Sequence, residues 1–127
     1  MTQSILDTNV LVRFLVGDNT KQQAQAVTWF KEATAGTRKI SVHPMVIAET
    51  VFVLESFYKH SRETIATSLL PFVAMPVLHV EHRDALVRLW DDFIDGLHFV
   101  DAYLLALARQ QGSEILSFDK QLLKRVK

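Results

Sequence analysis

The chain has 127 residues, 49% of them hydrophobic and 22% charged, a size and balance that suit a single domain over residues 1–127 with its own core. Lys plus Arg and Asp plus Glu both total 14, which excludes a long-range field for holding a polyanion, so any nucleic-acid contact must come from a local patch. The absence of cysteine excludes disulfides and thiolate metal sites: a metal here would bind through oxygen or histidine, and a reducing compartment fits.

Met1-Thr2-Gln3-Ser4 carries no basic stretch ahead of an apolar one, so no secretory signal is expected. Ser4-Ile5-Leu6 then predicts a short strand that runs into the polar turn Asp7-Thr8-Asn9, with a helix from Val10 to Val16 ended by Gly17. From Thr20 to Ala35, Ala24, Val27, Phe30 and Ala33 recur at three-residue steps, which predicts an amphipathic helix stopped by Gly36. Lys39-Ile40-Ser41-Val42 alternates as a second strand, and Pro44 opens a helix over Met45 to Tyr58, followed by another from Ser61 to Met75. Pro76 to Val80 reads as a third strand. His82 to Ile94 reads as a helix with Leu86, Leu89, Trp90 and Phe93 on one face, broken by Gly96. Phe99 to Gln111 is an apolar helix, Glu114 to Ser117 a fourth strand, and the residues after Asp119 a short basic helix. Strands alternating with helices predict an α/β fold: a three-layer α/β/α sandwich around a mostly parallel sheet of four or five strands. Runs such as Met45 to Ala48 and Tyr103 to Ala108 fall far short of the roughly 20 apolar residues that cross a bilayer, so a soluble cytoplasmic protein without a membrane partner is expected.

Ligands in such folds gather at the carboxyl ends of strands, and acids stand there. Asp7 follows the first strand and Asp119 the fourth, although each also fits an ordinary turn or helix cap. Glu49 has Met45, Val46, Phe52 and Val53 at three and four residues' distance, which predicts a carboxylate on a buried helical face. A charge so placed needs a metal, a shifted pKa or a cation such as Arg13. Asp101 has Leu97, His98, Leu104 and Leu105 at the same spacings, and alternatively it opposes the helix dipole from the first turn. Taken as a set, these acids meeting at one sheet edge would repel one another without cations. Oxygen-only clusters suit Mg²⁺ or Mn²⁺, and such ions support phosphodiester hydrolysis.

The blocks Ile5-Leu6-Asp7-Thr8-Asn9-Val10-Leu11-Val12, Val46-Ile47-Ala48-Glu49-Thr50, Phe99-Val100-Asp101-Ala102 and Ser117-Phe118-Asp119-Lys120 together resemble the PIN-domain ribonucleases. Within them the chain looks most like the VapC toxins of toxin–antitoxin pairs, across essentially its whole length. The resemblance implies a magnesium- or manganese-dependent endoribonuclease in which Asp7, Glu49, Asp101 and Asp119 hold metal and a metal-activated water attacks the RNA phosphate. It also implies that Thr8, Asn9 and Ser117 orient the acids or their waters. Many relatives have Thr where Ser117 stands, a change that keeps the hydroxyl. A homodimer, a cognate antitoxin and a tRNA or rRNA target follow from the same likeness. A DNA-directed nuclease and a non-catalytic regulatory module of the same fold stay open, since acids read metal and phosphate and carry no base information.

Other residues invite weaker readings. Asp91, Asp92 and Asp95 suit a solvated helix end, with Asp95 within reach of the metal edge. The five histidines, His43, His60, His79, His82 and His98, show no zinc spacing. Trp29, Trp90 and the Phe residues fall mainly at core spacing, and Leu54, Phe57 and Tyr58 suit either core or a partner surface. Arg13, Lys21, Lys120, Lys124, Arg125 and Lys127 are candidate phosphate contacts or solvated helix charges.

Overall fold

Three extended segments pair into a parallel sheet in the computed structural model, which describes residues 1–126. Lys127 lies outside the described residues. The strands are β1 (Thr2–Ile5), β2 (Arg38–Val42) and β3 (His79–Val80), in the order β1-β2-β3. Ile5 stands opposite Ser41, and Val42 opposite Val80. In β2 the alternation works as expected: Ile40 and Val42 are buried, while Arg38, Lys39 and Ser41 are partly open.

Among the described residues there are eight helices: α1 (Thr8–Val16), α2 (Thr20–Ala35), α3 (Pro44–Ser56), α4 (Arg62–Val73), α5 (Arg83–Arg88), α6 (Trp90–Ile94), α7 (Phe99–Gln111) and α8 (Lys120–Val126). The chain groups into two compact units. One comprises Met1–Ser61 and Met75–Glu81, with the sheet and α1 to α3; the other comprises Arg62–Ala74 and the chain from His82 on, with α4 to α8.

In the first unit α1 packs on α2 and α3, and α2 packs on β2. Gly17 ends α1 at φ 73°, a left-handed conformation that costs glycine nothing, and a Cβ there would meet the Gln23 amide at 2.8 Å. Of the stripe expected in α2, Ala33 is buried and Val27 and Phe30 are partly buried, while Ala24 is exposed and Ala26 is buried in its place.

The second unit buries Ile65, Leu69 and Phe72 of α4 with Leu86, Phe93 and Leu105. Trp90, Phe93 and Phe99 form an aromatic cluster with centroids 5.7 to 5.9 Å apart. Arg62 lies over the Phe93 ring at 4.4 Å, and its Nη1 donates to the Phe93 and Leu97 carbonyls at 2.6 and 2.7 Å.

The sheet corrects three expectations. It has three strands among the described residues, not four or five, and Glu114 to Ser117 does not form one. Ile115 is partly buried and Leu116 is exposed, so the stretch has no continuous buried side. The third strand is confined to His79–Val80, because the chain turns at Pro76 to Leu78, where the Leu78 N–H bonds the Met75 carbonyl. The helix expected over His82 to Ile94 is broken at Leu89. The Trp90 indole N–H donates to the Leu86 carbonyl at 2.7 Å, taking the acceptor a continuous helix would offer the Trp90 backbone. Its expected apolar face survives the break: Leu86, Leu89, Trp90 and Phe93 are all buried.

Candidate active site

In the first unit the carboxyl end of β1 delivers Asp7. Leu6 is buried and its N–H bonds the Ser41 carbonyl, so the strand leads the next residue out at the edge. Asp7 is exposed and caps α1, its Oδ2 accepting from the Asn9 backbone N–H at 3.3 Å. Thr8 is buried and Asn9 exposed. A mostly apolar cavity of about 210 Å³ opens beside Asp7, lined by Ser4, Val10, Trp29, Arg38 and Ile40 among others. Arg38 is held there by Glu32 at 3.0 Å and by the Ser4 hydroxyl at 2.7 Å.

Glu49 corrects the burial expectation. It is exposed, on the side of α3 that carries Met45 at 82% and Phe52 at 66% exposure, whereas Ile47, Thr50, Val51 and Leu54 form the buried face. The helix is apolar nearly all round, so apolar neighbours at three and four residues do not identify its inner side. Its buried polar residue is Thr50, satisfied by donating to the Val46 carbonyl at 2.7 Å. Arg13 is not a partner for Glu49: it donates to Asp18 at 3.2 Å, to the Tyr58 hydroxyl at 3.2 Å and to Gln22 at 2.9 Å. Tyr58 in turn donates to Asp18 at 2.7 Å. That hydroxyl, with the nearby Arg13 charge, holds the Asp18 carboxyl below its usual range, and the same bond pushes the Tyr58 phenol up. Of the three residues offered for core or partner surface, Leu54 is buried, Tyr58 is engaged with Asp18, and Phe57 is exposed.

In the second unit Asp101 is partly buried in the first turn of α7, flanked by buried Leu97 and Leu105 and by exposed His98 and Leu104. Asp119 precedes α8, and its Oδ1 accepts from the Leu122 N–H at 3.1 Å, the cap its position also allowed. Ser117 Oγ accepts from the Asp119 backbone N–H at 2.9 Å. Asp92 accepts from Arg125 at 3.0 Å and from Arg109 at 3.2 Å, and Asp95 pairs with Arg125 at 2.9 Å. Both acids therefore sit in ion pairs, and Arg125 is committed to them, leaving Lys120 and Lys124 as the exposed cations of α8. Of the aromatic residues expected in the core, Phe52, Phe57 and Phe118 are exposed.

The candidate acids thus divide between the units: Asp7 and Glu49 in the first, Asp101 and Asp119 in the second. Asp7 and Asp119 each engage one carboxylate oxygen in a cap, and the carboxylates of Glu49 and Asp101 have no hydrogen-bond or ion-pair partner among the described residues. Carboxylates suit hard cations such as Mg²⁺ by donor chemistry. Among the described residues no three or more His, Cys, Asp or Glu side chains gather as a metal site. The pairing of His43 with Glu81 at 2.9 Å escaped the sequence reading, although their places beyond the ends of β2 and β3 were available from the strand pattern.

The first unit thus presents a parallel α/β sheet with an acid leaving its carboxyl edge. The chain belongs to the PIN domain family, whose model matches residues 4–127. Members are generally metal-dependent nucleases acting on nucleic acid. No curated protein and no solved structure matches the chain. No helix among the described residues is long and apolar enough to cross a membrane.

Proposed function

We propose that the protein is a Mg²⁺- or Mn²⁺-dependent endoribonuclease, working as one domain, cytoplasmic, and the toxin member of a type II toxin–antitoxin pair. The observation that carries this reading is that the Glu49 and Asp101 carboxylates, in a chain of a nuclease family, have no cationic or hydrogen-bonding partner among the described residues. Such carboxylates are available to a hard cation, and Asp7 and Asp119 each retain an oxygen outside their cap bonds. Asp7, Glu49, Asp101 and Asp119 are the proposed metal holders.

When bound, a divalent cation polarises the phosphate and makes water a stronger nucleophile. The remaining work belongs to the chain. The Asn9 N–H fixes the rotamer of Asp7, Ser117 Oγ fixes the backbone at Asp119, and Thr8 is buried in the first turn of α1. RNA as substrate, a homodimer and an inhibitory antitoxin rest on the resemblance of the four sequence blocks to VapC toxins.

Cleavage of a mixed tRNA and rRNA substrate, with and without Mn²⁺, tests the reading on the wild type, Asp7→Asn and Asp101→Asn. Cleavage is expected only with metal, and each variant should lose at least about 100-fold while keeping its circular dichroism spectrum. Undiminished cleavage by a pure, folded Asp7→Asn protein would end the proposal.

A further inference from the structure

At the carboxyl edge of the sheet three polar side chains stand in consecutive strand positions. Ile5 pairs with Ser41, so Asp7 leaves β1 where His43 leaves β2; Val42 pairs with Val80, so His43 leaves β2 where Glu81 leaves β3. Adjacent strands lie about 4.8 Å apart. His43 therefore occupies the strand end next to the one that carries Asp7.

The imidazole is not used by the fold in the way its position invites. His43 is the N-cap residue of α3, yet its side chain makes no cap bond. Nδ1 instead lies 2.9 Å from Glu81 Oε2, with the two side chains 49% and 53% exposed. A surface pair of this kind adds little to stability. It does fix the ring. A carboxylate only accepts hydrogen bonds, so Nδ1 carries the proton, and in the neutral ring Nε2 is a bare acceptor. Nε2 has no protein partner among the described residues.

An acceptor beside a phosphodiester site is selective. Phosphate oxygens and the deoxyribose of an internal DNA nucleotide offer no hydrogen-bond donor, whereas each ribose carries a 2′-hydroxyl that donates. We propose that His43, oriented by Glu81, accepts a hydrogen bond from a ribose 2′-hydroxyl of the bound strand and so makes this site prefer RNA to DNA. The proposal rests on the nuclease reading above and names the group that would give it sugar selectivity.

The experiment measures binding of matched single-stranded RNA and DNA of one sequence, without divalent metal, and cleavage of the same RNA with Mn²⁺. The wild type should bind RNA about 10-fold more tightly than DNA. His43→Ala should bring RNA affinity down to that for DNA with DNA affinity unchanged. His43→Gln, which keeps an acceptor, should recover part of the difference, and Glu81→Gln should lose part of it. Nitrogen-15 spectra should report Nδ1–H on His43, with the Nε2 signal moving on addition of RNA and staying put with DNA. Equal loss of RNA and DNA affinity in His43→Ala would make the residue a phosphate contact and overturn the proposal, as would unchanged RNA affinity. A wild type that binds RNA selectively through His43 but never cleaves it would sink the nuclease reading and leave this one standing. A wild type with no preference for RNA would remove the sugar contact whether or not it cleaves.

Discussion

Asp18, Tyr58 and Arg13 form a bonded triad whose consequence is a dependence on pH at both ends of the scale. The Asp18 carboxyl is held below its ordinary value of 3.8 by the Tyr58 hydroxyl and by Arg13. A carboxylate with a depressed folded pKa stabilises the fold fully above its unfolded value, and the contribution fades as pH falls through the folded one. Tyr58 is shifted upward from 10.0, chiefly by its bond to Asp18, so its contribution is present below that value and is lost as pH rises through the higher folded one. Urea titrations should therefore show Asp18→Asn and Tyr58→Phe less stable than wild type at pH 7, with the Asp18→Asn deficit shrinking below about pH 4 and the Tyr58→Phe deficit shrinking above about pH 10. At this scale residue type was readable and pairing was not. Asp7 declared its strand-end and capping position through Asp-Thr-Asn, and Asp119 its capping position through Ser-Phe-Asp without a strand before it, whereas Arg13 took Asp18 because Gly17 turns the chain back at the end of α1. Glu49 was misjudged because α3 has apolar residues on both sides.

Among the elements, α4 is tied to the turn after α6 by one cation. Arg62 donates to two carbonyls, Phe93 and Leu97, and covers the Phe93 ring. A charge-assisted bond contributes about 1.5 to 3 kcal/mol, and two bonds from one partly solvated guanidinium contribute less than twice that. Arg62→Ala is expected to destabilise by roughly 2 to 3 kcal/mol and Phe93→Ala by roughly 3 to 5, read as a lowered urea midpoint with an unchanged slope. A midpoint unmoved in Arg62→Ala would show that water replaces the guanidinium at both carbonyls. Helix limits were the most legible part of the chain: α2 and α7 fall where Gly36 and Gly112 end the periodic stretches. The break between α5 and α6 was not legible, because it depends on an indole N–H displacing a backbone bond while the apolar period runs on undisturbed. The expected strand at Glu114–Ser117 failed because Ile115 and Leu116 meet the composition of a strand while Ile115 is only partly buried and Leu116 is exposed.

For the whole molecule, zero formal charge means that affinity for a polyanion depends on which cations the fold leaves uncommitted. Arg13, Arg38 and Arg125 are engaged with acids, while Lys120 and Lys124 are exposed on α8. The double variant Lys120→Gln, Lys124→Gln is expected to weaken RNA and DNA binding alike and to flatten the slope of log affinity against log salt by about 1.4, at about 0.7 for each phosphate that a lysine no longer neutralises. A slope that does not change would leave both lysines as solvated helix charges.

The two tryptophans fall one to a unit: Trp29 partly open in α2, and Trp90 buried in α6. The chain thus contains a separate optical reporter for each half. Trp90→Phe leaves an emitter that reports only on the sheet-bearing half, and Trp29→Phe leaves one that reports only on the helical half. Coincident denaturation curves from the two would mark a single cooperative transition, and separated curves would give each half its own melting point.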